Sequence, residues 1–298
     1  MPVSPSSAAE DIYMDSLGAV TAGEGTQGTG AGSGSHAPAA GGKLHAFPRG
    51  AQPGSFLHGL LEWAGRQGFA QVWGELEARA DLDDLIARRC NLRAWGHWVE
   101  PLRGWVSGWL GTPLDLRALS PGAKPVAPAQ LNQVQVEMEF WFAAQRVDTR
   151  KLDALVCRLT LDGAPRPPLS PQQLNGMLMG YIDRVFEYEG RYYVADYKSN
   201  WLGPADSDYS AQAAREAVLQ HRYELQYVLY VFALHRLLRV RLPDYAYERH
   251  IGGAVYLFLR GHAAPGQGLH CERPPKVLID ALDDLFCGSF PNPEEAIA

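Results

Sequence analysis

The sequence predicts an α/β fold: a small mixed sheet flanked by helices, with a helical part ahead of it. Three observations predict it. Residues 132–142, NQVQVEMEFWF, alternate apolar and polar side chains as a half-buried strand does. Residues 177–200, MLMGYIDRVFEYEGRYYVADYKSN, read as two more strands joined at Glu189-Gly190, a hairpin turn. Stretches of helical apolar spacing lie on either side, and no internal repeat is present.

The elements follow in order. Residues 18–42 contain 21 Gly, Ala, Ser, Thr or Pro among 25 positions, too little apolar surface to offset the entropy of ordering. Residues 1–43 are therefore expected to be a flexible tail or interdomain tether, and 44–298 a compact domain. Residues 53–64, PGSFLHGLLEWA, suit a helix with Ser55 as N-cap after Pro53-Gly54. Residues 69–111 suit several helices. Trp73, Trp95, Trp98, Trp105 and Trp109 read there as inter-helix packing, with base stacking as the sharper alternative. In the strand at 132–142, Val134, Val136, Met138, Phe140 and Phe142 share one face, and Glu137 lies on the polar face. Residues 210–240 have the composition of one long helix or two joined ones. Residues 252–260 form another strand, and 274–286 a closing helix with proline at its start.

Composition bounds the function. A net charge of −6 argues against a free-standing basic nucleic-acid binder, but not against a nuclease, whose metal site concentrates carboxylates. Cys90, Cys157, Cys271 and Cys287 form no CxxC pair, so reduced thiols in a cytoplasmic protein are the expectation rather than a zinc or iron–sulfur site. No apolar run is long enough for a transmembrane helix, no signal peptide opens the chain, and no phosphate-loop motif of a motor is present.

The hairpin carries the chemistry. With the turn centred on Glu189-Gly190, Asp183 falls directly opposite Asp196, provided no bulge intervenes. Opposed Cβ atoms lie about 4.5–5.5 Å apart, and like charges there destabilise the sheet. A proton, a lysine or a divalent cation must neutralise the pair. Lys198 lies two residues beyond Asp196, on the same face. Two hard carboxylates and an ammonium suit Mg²⁺ and a substrate phosphate. A salt bridge on an edge strand is the alternative that spacing alone leaves open.

Gly180–Asp183 as G-x-x-D, followed by Asp196-Tyr197-Lys198, resembles the PD-(D/E)xK nuclease motif. The string GYIDRVFEYEGRYYVADYKSNWLG resembles the C-terminal nuclease domain of the RecB family. Residues 47–62, QVEMEFWF, 221–239 and 247–261 are similar to further parts of that domain, so the resemblance covers about 44–290. It implies a restriction-endonuclease-like core. It also implies that His58, Asp183, Asp196 and the backbone carbonyl of Tyr197 hold Mg²⁺, with Mn²⁺ as a substitute. Lys198 would be the catalytic lysine, with Gln226 and Tyr230 lining the site from one helix face. Single-stranded DNA is the implied substrate, with RecC- and RecD-type subunits and the recombinase RecA as implied partners. The helicase half of a full RecB is absent from these residues. A fragment of a larger polypeptide, a stand-alone single-strand nuclease and a catalytically quiet docking module therefore all remain open. His97, His221, His235 and His250 have no evident partner.

Overall fold

Two hydrophobic cores lie on opposite faces of one sheet in this computed structural model, which describes residues 12–13 and 44–287. The expected tail at 1–43 otherwise lies outside the described residues. The first core is helical. It gathers α1 (Ala51–Gln67), α2 (Phe69–Gly74), α3 (Leu76–Asn91) and α4 (Val99–Gly111) against one sheet face. The second packs α5 (Thr149–Leu159), α6 (Ala211–His221), α7 (Tyr223–Arg241) and α9 (Lys276–Phe286) against the other, with the single-turn α8 (Tyr247–His250) leading into the fifth strand.

The sheet is mixed. Strands β2 (Gln133–Asp148) and β3 (Gln173–Tyr188) form a long antiparallel ribbon. Strand β4 (Arg191–Lys198) returns antiparallel on the other edge of β3 but pairs only with its last five residues, Arg184–Tyr188. The two-residue strand β1 (Ile12–Tyr13) pairs in parallel with Leu178 and Met179. Beyond β4 come β5 (Ile251–Phe258), parallel to it, and β6 (Leu269–Glu272), antiparallel to β5.

The hairpin register is the expected one: Arg184 pairs with Ala195, and Glu189 and Gly190 both take positive φ, 51° and 76°. Such a turn matches the right-handed twist of its strands. Ladder pairing stops there, so Asp183 and Asp196 sit where the two strands part.

Three local expectations change. Helix α1 begins at Ala51 with Gly50 as its N-cap at φ 107°, so Ser55 is no cap and Pro53 lies in the first turn. Proline is tolerated there because a first-turn N–H has no helical acceptor. The apolar stripe of β2 is divided rather than single. Val134 packs on the helical core and Val136 lies against Gly65 of α1, whereas Met138, Phe140 and Phe142 join the second core. Glu137, at φ 48°, stands at the change-over. Trp98, Trp105 and Trp109 are buried as packing requires, but Trp73 is 45% exposed. The stretch at 210–240 resolves as two helices. They meet at Arg222, at φ 58°, whose buried guanidinium binds Glu224 and Asp153 at 2.6 Å each. That clamp sets the direction of α7 across the sheet.

Candidate active site

Where β3 and β4 separate, four elements bring polar side chains together. Asp183 Oδ2 accepts the backbone N–H of Tyr197 at 2.7 Å and lies 3.4 Å from His58 Nδ1 on α1. Burial would raise the Asp183 carboxyl, but the His58 contact outweighs it and holds it below the usual range. Burial likewise works against the His58 imidazolium, and Asp183 reverses the balance, so His58 is held above its ordinary value.

Asp196 is buried and points to α7. Its Oδ2 lies 2.6 Å from Lys198 Nζ, off the direction of a regular hydrogen bond. Burial pushes its carboxyl up to about 6, despite the lysine. Lys198 is held in turn. Burial would lower its ammonium, but Asp196 and the Tyr223 hydroxyl outweigh that and raise it. It therefore stays cationic at neutral pH, suited to binding anionic oxygen and not to acting as a base. Lys198 Nζ donates to Gln226 Oε1 at 2.7 Å and sits 4.0 Å from the centre of the Tyr223 ring. Gln226 also accepts from Tyr256 OH at 2.9 Å and donates to Tyr230 OH at 2.9 Å.

All six expected side chains thus meet at one place. The structure refines two of them. Gln226 touches the lysine and Tyr230 touches Gln226, so this pair holds Lys198 in position. The Tyr197 backbone meets the site through its N–H. Three further residues belong here. Tyr256 is in parallel register with Asp196 and completes the Gln226 network. Tyr223 lies three residues before Gln226 on the same helix face, a spacing that could have flagged it. Glu137 flanks Asp183, and burial, then Asp183 and Glu62, push its carboxyl up to about 7.

The donor set suits a divalent cation: two carboxylates and an imidazole, one carboxylate oxygen being buried without a regular hydrogen bond. Among the described residues no group of three His, Cys, Asp or Glu is already in ligating geometry. Asp183 contacts His58 and the Tyr197 N–H, and Asp196 contacts Lys198. The four cysteines are free, with Cys90 buried in the helical core, and no helix among the described residues is long and apolar enough to cross a membrane.

Comparison with known proteins identifies the family. Residues 39–285 match the model of the PD-(D/E)XK nuclease superfamily. The RecBCD enzyme subunit RecB of Escherichia coli K12 is 41% identical over 247 residues, 81% of this chain and 20% of that protein. The corresponding subunit of Haemophilus influenzae Rd is 34% identical over 245 residues, 80% of this chain and 19% of its own length. That of Mycobacterium tuberculosis H37Rv is 45% identical over 127 residues, 40% of this chain and 12% of the relative. The chain spans about a fifth of the length of the first two relatives.

Proposed function

Because the chain belongs to the PD-(D/E)XK nuclease superfamily, we propose that it is a RecB-type deoxyribonuclease that hydrolyses phosphodiester bonds, preferentially in single strands, during double-strand-break repair. One observation carries the reading: Asp183 and Asp196 directly follow the last β3–β4 pair, Arg184 with Ala195, where the strands part, and the Lys198 ammonium lies against Asp196. Nucleases of this superfamily generally use divalent metal ions. His58, Asp183 and Asp196, with the Tyr197 carbonyl, would hold Mg²⁺ here. When bound, the ion supplies charge stabilisation at the phosphate and a water of lowered pKa.

The chain's own residues supply the rest. Lys198 orients the attacking water and stabilises the charge that grows on the phosphate oxygens. Gln226 fixes the ammonium from one side, and the Tyr223 and Tyr256 rings line the other. Tyr230 and Tyr256 fix Gln226. Contacts of this kind address phosphate, so sequence preference should be weak. A net charge of −6 gives little affinity for DNA and makes it salt-sensitive. A strand delivered by RecC- and RecD-type subunits, with RecA as a further partner, fits that weakness. The names of the relatives support the first two partners.

The test is degradation of linear single-stranded DNA by the purified chain at low salt. The chain should cut with Mg²⁺ or Mn²⁺ and not in chelator. Asp196→Ala and Lys198→Ala should lose at least about a hundredfold, as expected when a charge-stabilising group is removed. An inert parent that stays inert after RecC- and RecD-type subunits are added would leave a docking module instead.

A further inference from the structure

Immediately beyond the lysine the chain carries an exposed aromatic. Trp201 is 37% exposed, and the Arg49 guanidinium lies over its ring at 3.6 Å. Among the described residues Arg49 makes no ion pair or hydrogen bond, so its charge is available to an incoming anion. The stack is tied to the candidate site from both sides. Arg260 donates at once to Ser199 O at 2.8 Å, Phe47 O at 2.8 Å and Pro48 O at 2.7 Å, which anchors the residues preceding Arg49 and Trp201 to each other. Ser199 in turn lies against Gly54, one helical turn before His58 on α1. On the other side Asn200 Oδ1 accepts from Tyr223 OH at 3.1 Å, and the Tyr223 ring lies under Lys198. Trp201 lies three positions beyond Lys198, a reach of at most about 11 Å.

The two other exposed tryptophans among the described residues lack these features. Trp73 has Arg79 nearby, but that guanidinium is engaged by Ser107 and the Trp73 carbonyl. Trp141 lies on β2, on the face that carries Glu139, and no Arg or Lys among the described residues lies over its ring.

We propose that the Arg49–Trp201 stack is a nucleobase platform. A base of a single-stranded nucleic acid adds to it as a further layer, next to the phosphate held at Lys198, while Arg49 neutralises a neighbouring phosphate. The proposal rests on the nuclease reading and adds a substrate-binding site to it. The chemistry is general: every base has a π-face, so stacking binds without selecting sequence, and a guanidinium serves both the ring and the backbone.

Binding of a fluorescent oligothymidylate, and of an abasic strand of equal length, is measured by anisotropy in chelator at low salt, so that nothing is cut. Trp201→Leu should bind the oligothymidylate about 5- to 150-fold more weakly than the parent, the range for one stacked base. Trp201→Phe should retain most of the affinity, and Trp141→Leu should match the parent. Parent and Trp201→Leu should bind the abasic strand equally. Arg49→Met should lower the slope of log affinity against log salt by about 0.7. If Trp201→Leu binds oligothymidylate as the parent does, or weakens both strands alike, the platform is wrong and the nuclease reading stands. If the parent neither binds nor degrades the oligothymidylate even after RecC- and RecD-type subunits are added, the nuclease reading falls and the platform falls with it.

Discussion

At Glu137 the backbone and the charge both depart from what a strand usually tolerates. The residue takes φ 48° in mid-strand, and its carboxyl is pushed up to about 7 by burial, by Asp183 and by Glu62. A raised carboxyl favours the neutral form, so the sign is set. The group costs nothing below its ordinary value near 4.5. The penalty grows as pH rises through the window between 4.5 and about 7, and it is complete above that. Glu137→Gln should therefore stabilise the metal-free chain at pH 8 by roughly 1 kcal/mol after allowance for solvent screening, or about 2–4 °C in Tm. At pH 5 the gain should vanish. Calorimetry of both proteins in chelator at the two pH values checks it, and an equal shift at both would show that the charge is not the cause. The strand alternation placed Glu137 on the polar face. It could not reveal the left-handed backbone that divides the β2 stripe between two cores, because nothing in the identity of a glutamate announces a positive φ.

Among the elements, the β3–β4 hairpin was the most legible, and for a physical reason. A two-residue turn fixes the register of every pair that follows it, so Glu189-Gly190 brings Asp183 and Asp196 to the end of the ladder, just past the Arg184–Ala195 pair. The parallel β4–β5 pairing has no such local determinant, since its strands are joined through three helices, α6, α7 and α8. Tyr256 therefore stayed invisible until its register with Asp196 was seen. Strand β5 carries its own constraint. Gly253 takes φ +129°, and a Cβ there would lie 2.9 Å from both Glu272 O of β6 and a Leu119 methyl. One of these neighbours is backbone and cannot rotate away. Gly253→Ala should cost about 2–4 kcal/mol, combining strain with overpacking, and Gly190→Ala, with open space around it, clearly less. Urea unfolding of the two variants provides the comparison. Equal losses would mean that backbone conformation alone decides, and that the approach of β6 does not.

Across the whole molecule, one buried side chain joins residues 44–48 to the end of β4. Arg260 follows β5 and is almost fully buried, and burial brings its guanidinium down to about 10. It donates to four carbonyls: Leu44 and Phe47 through one terminal nitrogen, Pro48 through the other, and Ser199 through Nε. No other natural side chain presents donors in that planar fork. Residues 44–48 open the continuous described segment, and Ser199 adjoins Lys198, so Arg260 ties that segment to the lysine's strand. Arg260→Met should leave those carbonyls without their donor and cost about 3 kcal/mol or more, a fall of roughly 6–12 °C in Tm. Arg260→Lys should recover less than half, because an ammonium cannot reach four acceptors so arranged. The location of the damage separates this clamp from ordinary core loss. Hydrogen exchange followed by mass spectrometry should show residues 44–58 and 199–202 opening first, while the hairpin at 184–195 keeps its protection. Uniform loss of protection over both cores would mean that Arg260 merely fills space, and that residues 44–48 have no privileged link to the end of β4.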